Sequence, residues 1–402
     1  MSDTSARITT LPQFQRVHHQ RFTVEYNYPV YFTERVFGTA NPVFCEALSR
    51  TEPDKRHRFV VFIDENVAAY RPDLLGDIKA YAQHYGQRIE LVAPPELIPG
   101  GEAVKNSPEL VERLQRRLVE LGIDRHSYVV AIGGGAVLDL IGYVAGTTHR
   151  GVRHVRVPTT VLAQNDSGVG VKNGVNAFGV KNLLGTFAPP FAVLNDLEFL
   201  TALEPRDKIA GMAEAVKVAL IRDTVFFNWL EAHADELVTF QPQAMAHMIR
   251  RCAELHMHQI AHGGDPFEAG SARPLDYGHW SAHKLELLTQ HALRHGEAVA
   301  IGLALDTRYS VQVGMLAAGQ EIRICALLEK LGFRLWHPML ERRNADGELV
   351  ILAGLREFRE HLGGELTVTL LREAGVGEEV HEMHEGEILK AIAWLKLRLE
   401  KR

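Results

Sequence analysis

From Arg58 to about Leu197 the chain alternates short apolar runs with longer stretches of helical periodicity. RFVVFID (58–64), RIELVAP (88–94), SYVVAIG (127–133) and VRHVRVPTT (152–160) are rich in Val and Ile, and turn or cap residues follow each. Continuous apolar runs of this kind predict strands buried on both faces, the habit of parallel sheets. PELVERLQRRLVELG (108–122), lying between two of them, repeats its apolar residues at helical spacing and predicts an amphipathic helix. Strands alternating with helices predict a parallel, doubly wound sheet in an α/β domain over residues 1–197. After Asp196 the pattern changes. EPRDKIAGMAEAVKVALI, QAMAHMIRRCAELHMHQIAH and HGEAVAIGLALDTRYSVQ all read as helices, with few strand candidates between them, so residues 198–402 are expected to form a mainly α-helical domain. FTVEYNYPVYFT (22–33) predicts an extra strand or hairpin ahead of the first βα unit.

Composition narrows the classes of function. The 402 residues are 46% hydrophobic and 23% charged, which is ordinary globular usage. With 44 Lys and Arg against 50 Asp and Glu, the chain lacks the basic footprint that nucleic acid demands. No apolar run approaches the length of a membrane helix, and MSDTSARITT has no apolar centre of the secretory kind. Cys45, Cys252 and Cys325 are odd in number and far apart, which excludes a disulfide framework and a paired-cysteine zinc site, and fits a reducing cytoplasm. The 20 histidines are the unusual count, and they direct attention to a histidine-ligated metal.

Gly133, Gly134 and Gly135 follow YVVAI and open the helical stretch AVLDLIGYVAG, with Asp139 inside it. Glycines at a strand-to-helix turn let backbone N–H groups approach a diphosphate at a helix N-terminus. The alternative is a tight turn that needs positive φ and binds nothing. Asp64 and Asn66 end the first strand, at the edge where such sheets bind ligands. Glu102 and Lys105 share one loop and offer a carboxylate for hydroxyls and a cation for phosphate or a nicotinamide edge; a solvated surface loop would look the same. Glu214 and Lys217 lie three apart in an apolar helical stretch, as a buried ion pair or as part of a metal or substrate site. His279 and His283 are four apart on one helix face, and His295 opens another helix. Two imidazoles and a carboxylate with positions left open form the ligand set of a catalytic zinc-type site. His256, His258 and His262 show that this chain also places histidines without evident purpose.

Read in order, GGEAVK, GGGAVLD, HRGVRHVRVPTTVLAQNDSGVGVKNGVN, KNLLGTF, AEAVK, GHWSAH and HGEAVAIG resemble the sugar phosphate cyclase superfamily, best known for 3-dehydroquinate synthase. The likeness spans about residues 64–302 and looks closest to the EboD-like branch. It implies a dinucleotide-binding domain followed by a helical metal-binding domain. It also implies a reaction in which bound NAD oxidises a hydroxyl, phosphate leaves, the ketone is reduced again and an aldol addition closes a carbocycle. By motif, Asp64, Asn66, Glu102, Lys105, Gly133, Gly134, Gly135, Asp139, Thr159, Thr160, Lys181, Phe199 and Thr201 would hold NAD. Glu214, His279 and His295 would hold one divalent ion, zinc or cobalt. Asp166, Lys172, Lys217, Asp276 and His283 would carry catalysis. Arg150, Lys172, Asn182, Lys217, Arg273, Asp276 and His283 would contact substrate, with Arg150 lent across a homodimer interface.

The chain departs from the synthase pattern at several positions. Asp276 stands where dehydroquinate synthases have asparagine, and counting back without a gap puts His258 where they have a lysine near the substrate carboxylate. Arg273 is displaced by one residue, and only Arg372 offers itself for a C-terminal lysine of the family. Fewer cations and an added anion argue against a carboxylated substrate, and the resemblance implies sedoheptulose 7-phosphate, since branches of the superfamily that act on it have similar substitutions, including the aspartate. The alternatives are 3-dehydroquinate synthase, acting on 3-deoxy-arabino-heptulosonate 7-phosphate, and a metal-dependent polyol dehydrogenase of related fold. A silent binding protein is disfavoured, because no ligand position of the motif is broken.

Overall fold

A computed structural model describes residues 17–268, 274–361 and 364–401. In the first half lie β1 (Val30–Thr33), β2 (His57–Asp64), β3 (Ile89–Leu91), β4 (Glu96–Ile98), β5 (Tyr128–Gly133) and β6 (Arg153–Pro158). A hairpin of β7 (Lys172–Ala177) and β8 (Val180–Phe187) follows, then β9 (Ala192–Asp196). The helices here are α1 (Val43–Ser49), α2 (Glu65–Tyr70), α3 (Leu74–His84), α4 (Pro108–Glu120) and α5 (Gly135–Thr147). The sheet is parallel, in the order β1-β9-β6-β5-β2-β3, with β4 also paired to β2.

The apolar runs explain that architecture. Successive strand residues point to opposite faces. Phe59, Val61 and Ile63 of β2 accordingly join one buried cluster with residues of α1 and α3, while Val60 and Phe62 join another with residues of α4 and α5. From β2 the chain passes to β3 and β4 on one side, then crosses to β5, β6 and β9 on the other. The switch point therefore lies between β2 and β5, whose carboxyl ends carry Asp64 and Gly133. RIELVAP yields only the short β3, and β4 follows as a separate strand beyond the Pro94–Pro95 pair, which denies the ladder its donors. FTVEYNYPVYFT yields the single edge strand β1 and no hairpin.

The second half holds α6 (Pro205–Ala210), α7 (Met212–Arg222), α8 (Thr224–Ala232), α9 (Ala234–Val238), α10 (Pro242–His262), α11 (His279–Leu288) and α12 (His295–Gln312). Then come α13 (Gln320–Lys330), α14 (Ala353–His361) and α15 (Glu385–Glu400). One antiparallel hairpin, β10 (Val368–Glu373) with β11 (Val376–Val380), interrupts the helices and packs on α12 and α7. The stretch expected as one helix from Glu204 divides at Gly211 into α6 and α7. A Cβ at Gly211 would sit 2.5 Å from the Val161 Cβ, so only glycine lets α7 start hard against the sheet domain. Its carbonyl accepts the Asn165 side-chain amide at 2.8 Å.

Candidate active site

Glu214, in the first turn of α7, is fully buried and faces His279 at the start of α11 and His295 at the start of α12. Glu214 Oε1 lies 3.7 Å from His279 Nε2 and 3.4 Å from His295 Nε2. One donor atom from each residue falls within 4.8 Å of the others, the only such group among the described residues. Both rings are held from behind. His279 Nδ1 is 3.0 Å from the Tyr277 carbonyl, and His295 Nδ1 is 3.2 Å from Glu286 Oε2. A proton on each Nδ1 turns the Nε2 lone pairs inward, the usual support for a metal-ligating histidine. Neither oxygen of Glu214 accepts a hydrogen bond, although Lys217 is ion-paired to Oε2. A buried carboxylate and two inward lone pairs left with these needs fit a divalent cation with an open position.

Three charges surround that triad. Burial alone would raise the Glu214 carboxyl, but the Lys217 ammonium together with His295 and His279 outweighs it and holds the group at about 2. Burial likewise works against the Lys217 charge, yet Glu214 and Asp166 keep that amine above its ordinary value. Asp166 falls below the usual carboxylate range, because Lys217 and His256 outweigh its burial. Its Oδ1 lies 2.8 Å from His256 Nδ1. Asp166 rides on a single π-turn, Ala163–Ser167, and the segment after it is pinned from below by Arg156. That fully buried guanidinium donates to the carbonyls of Gly168, Gly170 and Lys172 at 3.1, 2.8 and 2.9 Å, and to Asn173 Oδ1 at 2.7 Å. Asp276 sits just before α11, its carboxyl lowered by His279, Lys172, Lys217 and His283 against the effect of burial. Among the described residues nothing hydrogen-bonds its carboxylate.

At the switch point, none of Gly133, Gly134 and Gly135 has positive φ. Closeness is what requires glycine here. A Cβ on Gly133 would meet Val137 Cβ at 2.8 Å, and one on Gly135 would meet Ser167 Oγ at 2.7 Å. Thr159 N donates to the Gly133 carbonyl at 3.0 Å, which sets Thr159 and Thr160 beside the turn. Asp64 caps α2 and accepts both the backbone and side-chain N–H of Asn66 at 2.9 Å. Gly100 lies so near them that a Cβ would reach Asp64 Oδ1 at 2.1 Å, whereas Gly101, at φ 80, faces open space. Glu102 and Lys105 stand on one short 3-10 turn. Lys105 is buried and pairs with Asp139 Oδ2 at 2.8 Å and Glu102 Oε1 at 3.7 Å. A glycine turn at a helix N-terminus, bordered by carboxylates and open on one side, fits a dinucleotide.

Other expected residues lie at varied distances from this centre. Lys172 opens β7, pairs with Glu268 at 2.5 Å and lies near enough to bias Asp276. Asn182 and Arg150 are exposed, both with positive φ. His283 follows His279 by one helical turn, with 5.4 Å between ring centres. Phe199 is buried in the apolar core of the sheet, with Arg71 over its ring, and Thr201 is exposed and donates to the Glu198 carbonyl. Arg273 falls outside the described residues. Arg372 is exposed and bound to Glu378 on the β10–β11 hairpin. Two further residues of the site went unassigned in the sequence. His256, and not the exposed His258, is the α10 histidine that reaches Asp166. Glu286, buried on α11, lies seven residues after His279, so helical periodicity would have found it.

The chain matches the 3-dehydroquinate synthase N-terminal family over residues 96–210 and the 3-dehydroquinate synthase C-terminal family over residues 211–349. It belongs to the 3-dehydroquinate synthase family. Among its relatives, the 3-dehydroquinate synthase of Halorhodospira halophila is 40% identical over 269 residues, covering 66% of this chain and 73% of that one. Among solved structures, the 2-epi-5-epi-valiolone synthase ValA of Streptomyces hygroscopicus subsp. jinggangensis, with NAD+ and Zn2+ bound, superposes with a TM-score of 0.83 at 29% identity. That match covers 95% of this chain and 100% of the other. A 2-deoxy-scyllo-inosose synthase complexed with carbaglucose-6-phosphate, NAD+ and Co2+ superposes with a TM-score of 0.70 at 26% identity, covering 89% of this chain and 91% of the other. The α/β domain with its helical partner is thus the fold of this family, whose members include sugar phosphate cyclases. No helix among the described residues is long and apolar enough to cross a membrane.

Proposed function

We propose that this family member is a cyclase that takes a seven-carbon ketose phosphate, sedoheptulose 7-phosphate, to a cyclitol with loss of phosphate. When bound, NAD supplies a hydride acceptor and donor, and a divalent metal, zinc or cobalt, supplies a Lewis acid for the reacting hydroxyl. Gly133 to Gly135, Asp64 and the Glu102–Lys105 turn would hold the dinucleotide. Glu214, His279 and His295 would hold the metal. Lys217 keeps Glu214 and Asp166 ionised, and His283, one turn from His279, would move a proton on substrate. Lys172, with Asn182 and the exposed Arg150, would hold the phosphate. Arg150 has no partner among the described residues, which suits an arginine offered to the second subunit of a homodimer.

The observation that carries the substrate choice is Asp276. Its carboxylate stands among Lys172, Lys217, His279 and His283 without a hydrogen bond among the described residues. An ionised aspartate accepts from hydroxyls and repels a substrate carboxylate. Asp166 adds a second anion, and the α10 side chain facing it is a histidine. The competing reading, 3-dehydroquinate synthase itself, draws support from the 40% identical relative of that name. Purified protein supplied with NAD and zinc should release phosphate from sedoheptulose 7-phosphate and form a cyclitol identified by NMR, with no NADH accumulating. Asp276→Asn should narrow the preference over 3-deoxy-arabino-heptulosonate 7-phosphate. Efficient formation of 3-dehydroquinate with sedoheptulose 7-phosphate untouched would overturn the reading. Mixing Arg150→Ala and Glu214→Ala chains should restore activity in heterodimers; no recovery would keep Arg150 out of the partner's site.

A further inference from the structure

The metal triad and the nucleotide turn are joined by an unbroken row of alternating charges. His295 Nδ1 is 3.2 Å from Glu286 Oε2, and Glu286 Oε1 is 3.3 Å from Lys181 Nζ on β8. Lys181 Nζ is 3.9 Å from Glu102 Oε1, Glu102 is 3.7 Å from Lys105, and Lys105 is 2.8 Å from Asp139 on α5. The row therefore starts on a metal ligand of the helical half and ends in the helix that the glycine turn opens. Glu286 is its joint. The side chain is only 5% exposed, and each oxygen serves a different element, one the imidazole of α12 and the other the hairpin.

Strand β7 is held from the sheet side, with Val175 in the apolar core and Arg156 donating to the Lys172 carbonyl and Asn173 Oδ1, so β8 is the freer strand of the hairpin. Most of β8 is exposed, including Val180, Leu183, Leu184 and Phe187, and the turn residue Phe178 is 92% exposed. The Lys181 ammonium reaches back from this strand to the buried carboxylate on α11. An ion pair with one partner so thoroughly desolvated is screened far less than a surface pair. What fixes the Glu286 carboxylate therefore also bears on β8 at Lys181, and its other oxygen is held by His295.

We propose that Glu286 is a positioning residue that couples metal occupancy at His295 to the seating of the β7–β8 hairpin, and through Lys181 and Glu102 to the nucleotide turn. The coupling rests on the metal reading of Glu214, His279 and His295. A metal on Nε2 holds the ring, the ring holds Glu286 through Nδ1–H, and Glu286 holds Lys181. Lys172 and Asn182 ride on the same hairpin, so metal loading would present the phosphate-binding side chains in place.

Two substitutions separate the halves of the joint. Glu286→Gln keeps the shape and can still accept from His295, but its amide has no charge for Lys181 and is a weaker partner for the ring. Lys181→Met leaves the Glu286–His295 contact whole and removes only the hairpin's hold. The readouts are cobalt titration, followed by the visible absorption of the bound ion, and hydrogen exchange of the peptide covering residues 172–187. In the unaltered protein cobalt should bind and slow exchange in the hairpin. Glu286→Gln should weaken cobalt binding by about 10- to 100-fold, the usual effect of losing a ligand's outer partner, and should lose the cobalt-induced protection even at saturation. Lys181→Met should bind cobalt nearly as tightly as the unaltered protein, yet show no protection. A residue that merely stabilised the fold would not divide the two readouts in this way. Wild-type cobalt affinity together with full protection in Glu286→Gln would overturn the coupling while leaving the metal site intact. Failure of the unaltered protein to take up cobalt would instead remove the metal reading, and the coupling with it.

Discussion

Lys217 is the cation on which the buried acids of the site depend, and its replacement by methionine tests that dependence. Its ammonium is paired to Glu214, which has no solvent exposure, and is also held by the charge of Asp166. Methionine keeps most of the volume and leaves both carboxylates without their shared counter-charge. At an effective dielectric of about 20, two unit charges about 4 Å apart interact by about 4 kcal/mol. Breaking a buried pair by deleting one partner costs about 3–5 kcal/mol, since the surviving charge stays buried. The metal-stripped Lys217→Met protein should lose stability in that range near neutral pH.

Urea unfolding followed by tryptophan emission is the suitable assay. All four tryptophans, Trp229, Trp280, Trp336 and Trp394, lie beyond residue 197, so the signal reports on the helical half alone. Zinc should narrow the gap between the two proteins, because a bound dication replaces the missing positive charge against Glu214. A loss below about 1 kcal/mol, the value of an exposed pair, would show that Glu214 is not dependent on Lys217. A gap that zinc leaves unchanged would show that the metal does not bind at Glu214.

Two other outcomes follow from the geometry. Burial pushes the Asp306 carboxyl up to about 7, although Trp280 Nε1 and Gly278 N donate to it at 2.9 and 3.2 Å. A raised folded-state value favours the protonated form, so this contribution is full below about pH 4 and is lost as pH rises through 7; at about 1.4 kcal/mol per unit it amounts to about 4 kcal/mol. Asp306→Asn should therefore gain on the parent between pH 5 and pH 8 in urea unfolding of metal-stripped protein, and parallel pH profiles would refute the burial argument. Gly135→Ala puts a methyl 2.7 Å from Ser167 Oγ and should cost about 1–3 kcal/mol. Adding Ser167→Ala should recover most of that loss, and no recovery would mean that the clash lies elsewhere.

The legible parts of this fold are those whose pattern is local. β2, β5 and β6 announce themselves because a strand buried on both faces must be apolar throughout, and the three runs match the strands to within a residue or two at each end. Helix α12 begins at the His295 and ends at the Gln312 that its periodicity implies. The β7–β8 hairpin escaped notice because much of β8 faces solvent and its glycine, lysine and asparagine content reads as loop. The β10–β11 hairpin was hidden for a related reason: β10 is buried for four residues only, and the charged β11 completes it. Both depend on a pairing partner, and no window along the chain contains that information.

The same distinction governs the site. Glu214, His279 and His295 stand out before any geometry because the resemblance singles them out; residue type and spacing alone leave His283 in the same list. His256 does not stand out, because nothing in its neighbourhood separates it from His258. Two residues along an α-helix turn a side chain through about 200°, and here that rotation decides the matter. His256 lies against Asp166, while His258 points away and stacks on His262 at 4.4 Å. Counting back from the metal motif without a gap therefore lands on the face of α10 turned away from Asp166. The segment between the helix and the motif, which contains Gly263, Gly264, Asp265 and Pro266, must be two residues longer than the count assumes if His256 is to occupy the position. The register of α10 against Asp166 is set by a contact across 90 residues of chain, from Asp166 to His256. An ionised aspartate is an acceptor only, and the His256 imidazole meets it through Nδ1 at 2.8 Å. A lysine there would have brought a permanent cation into the same space. That difference is the electrostatic content of the proposal that this site receives a hydroxyl-bearing ketose phosphate.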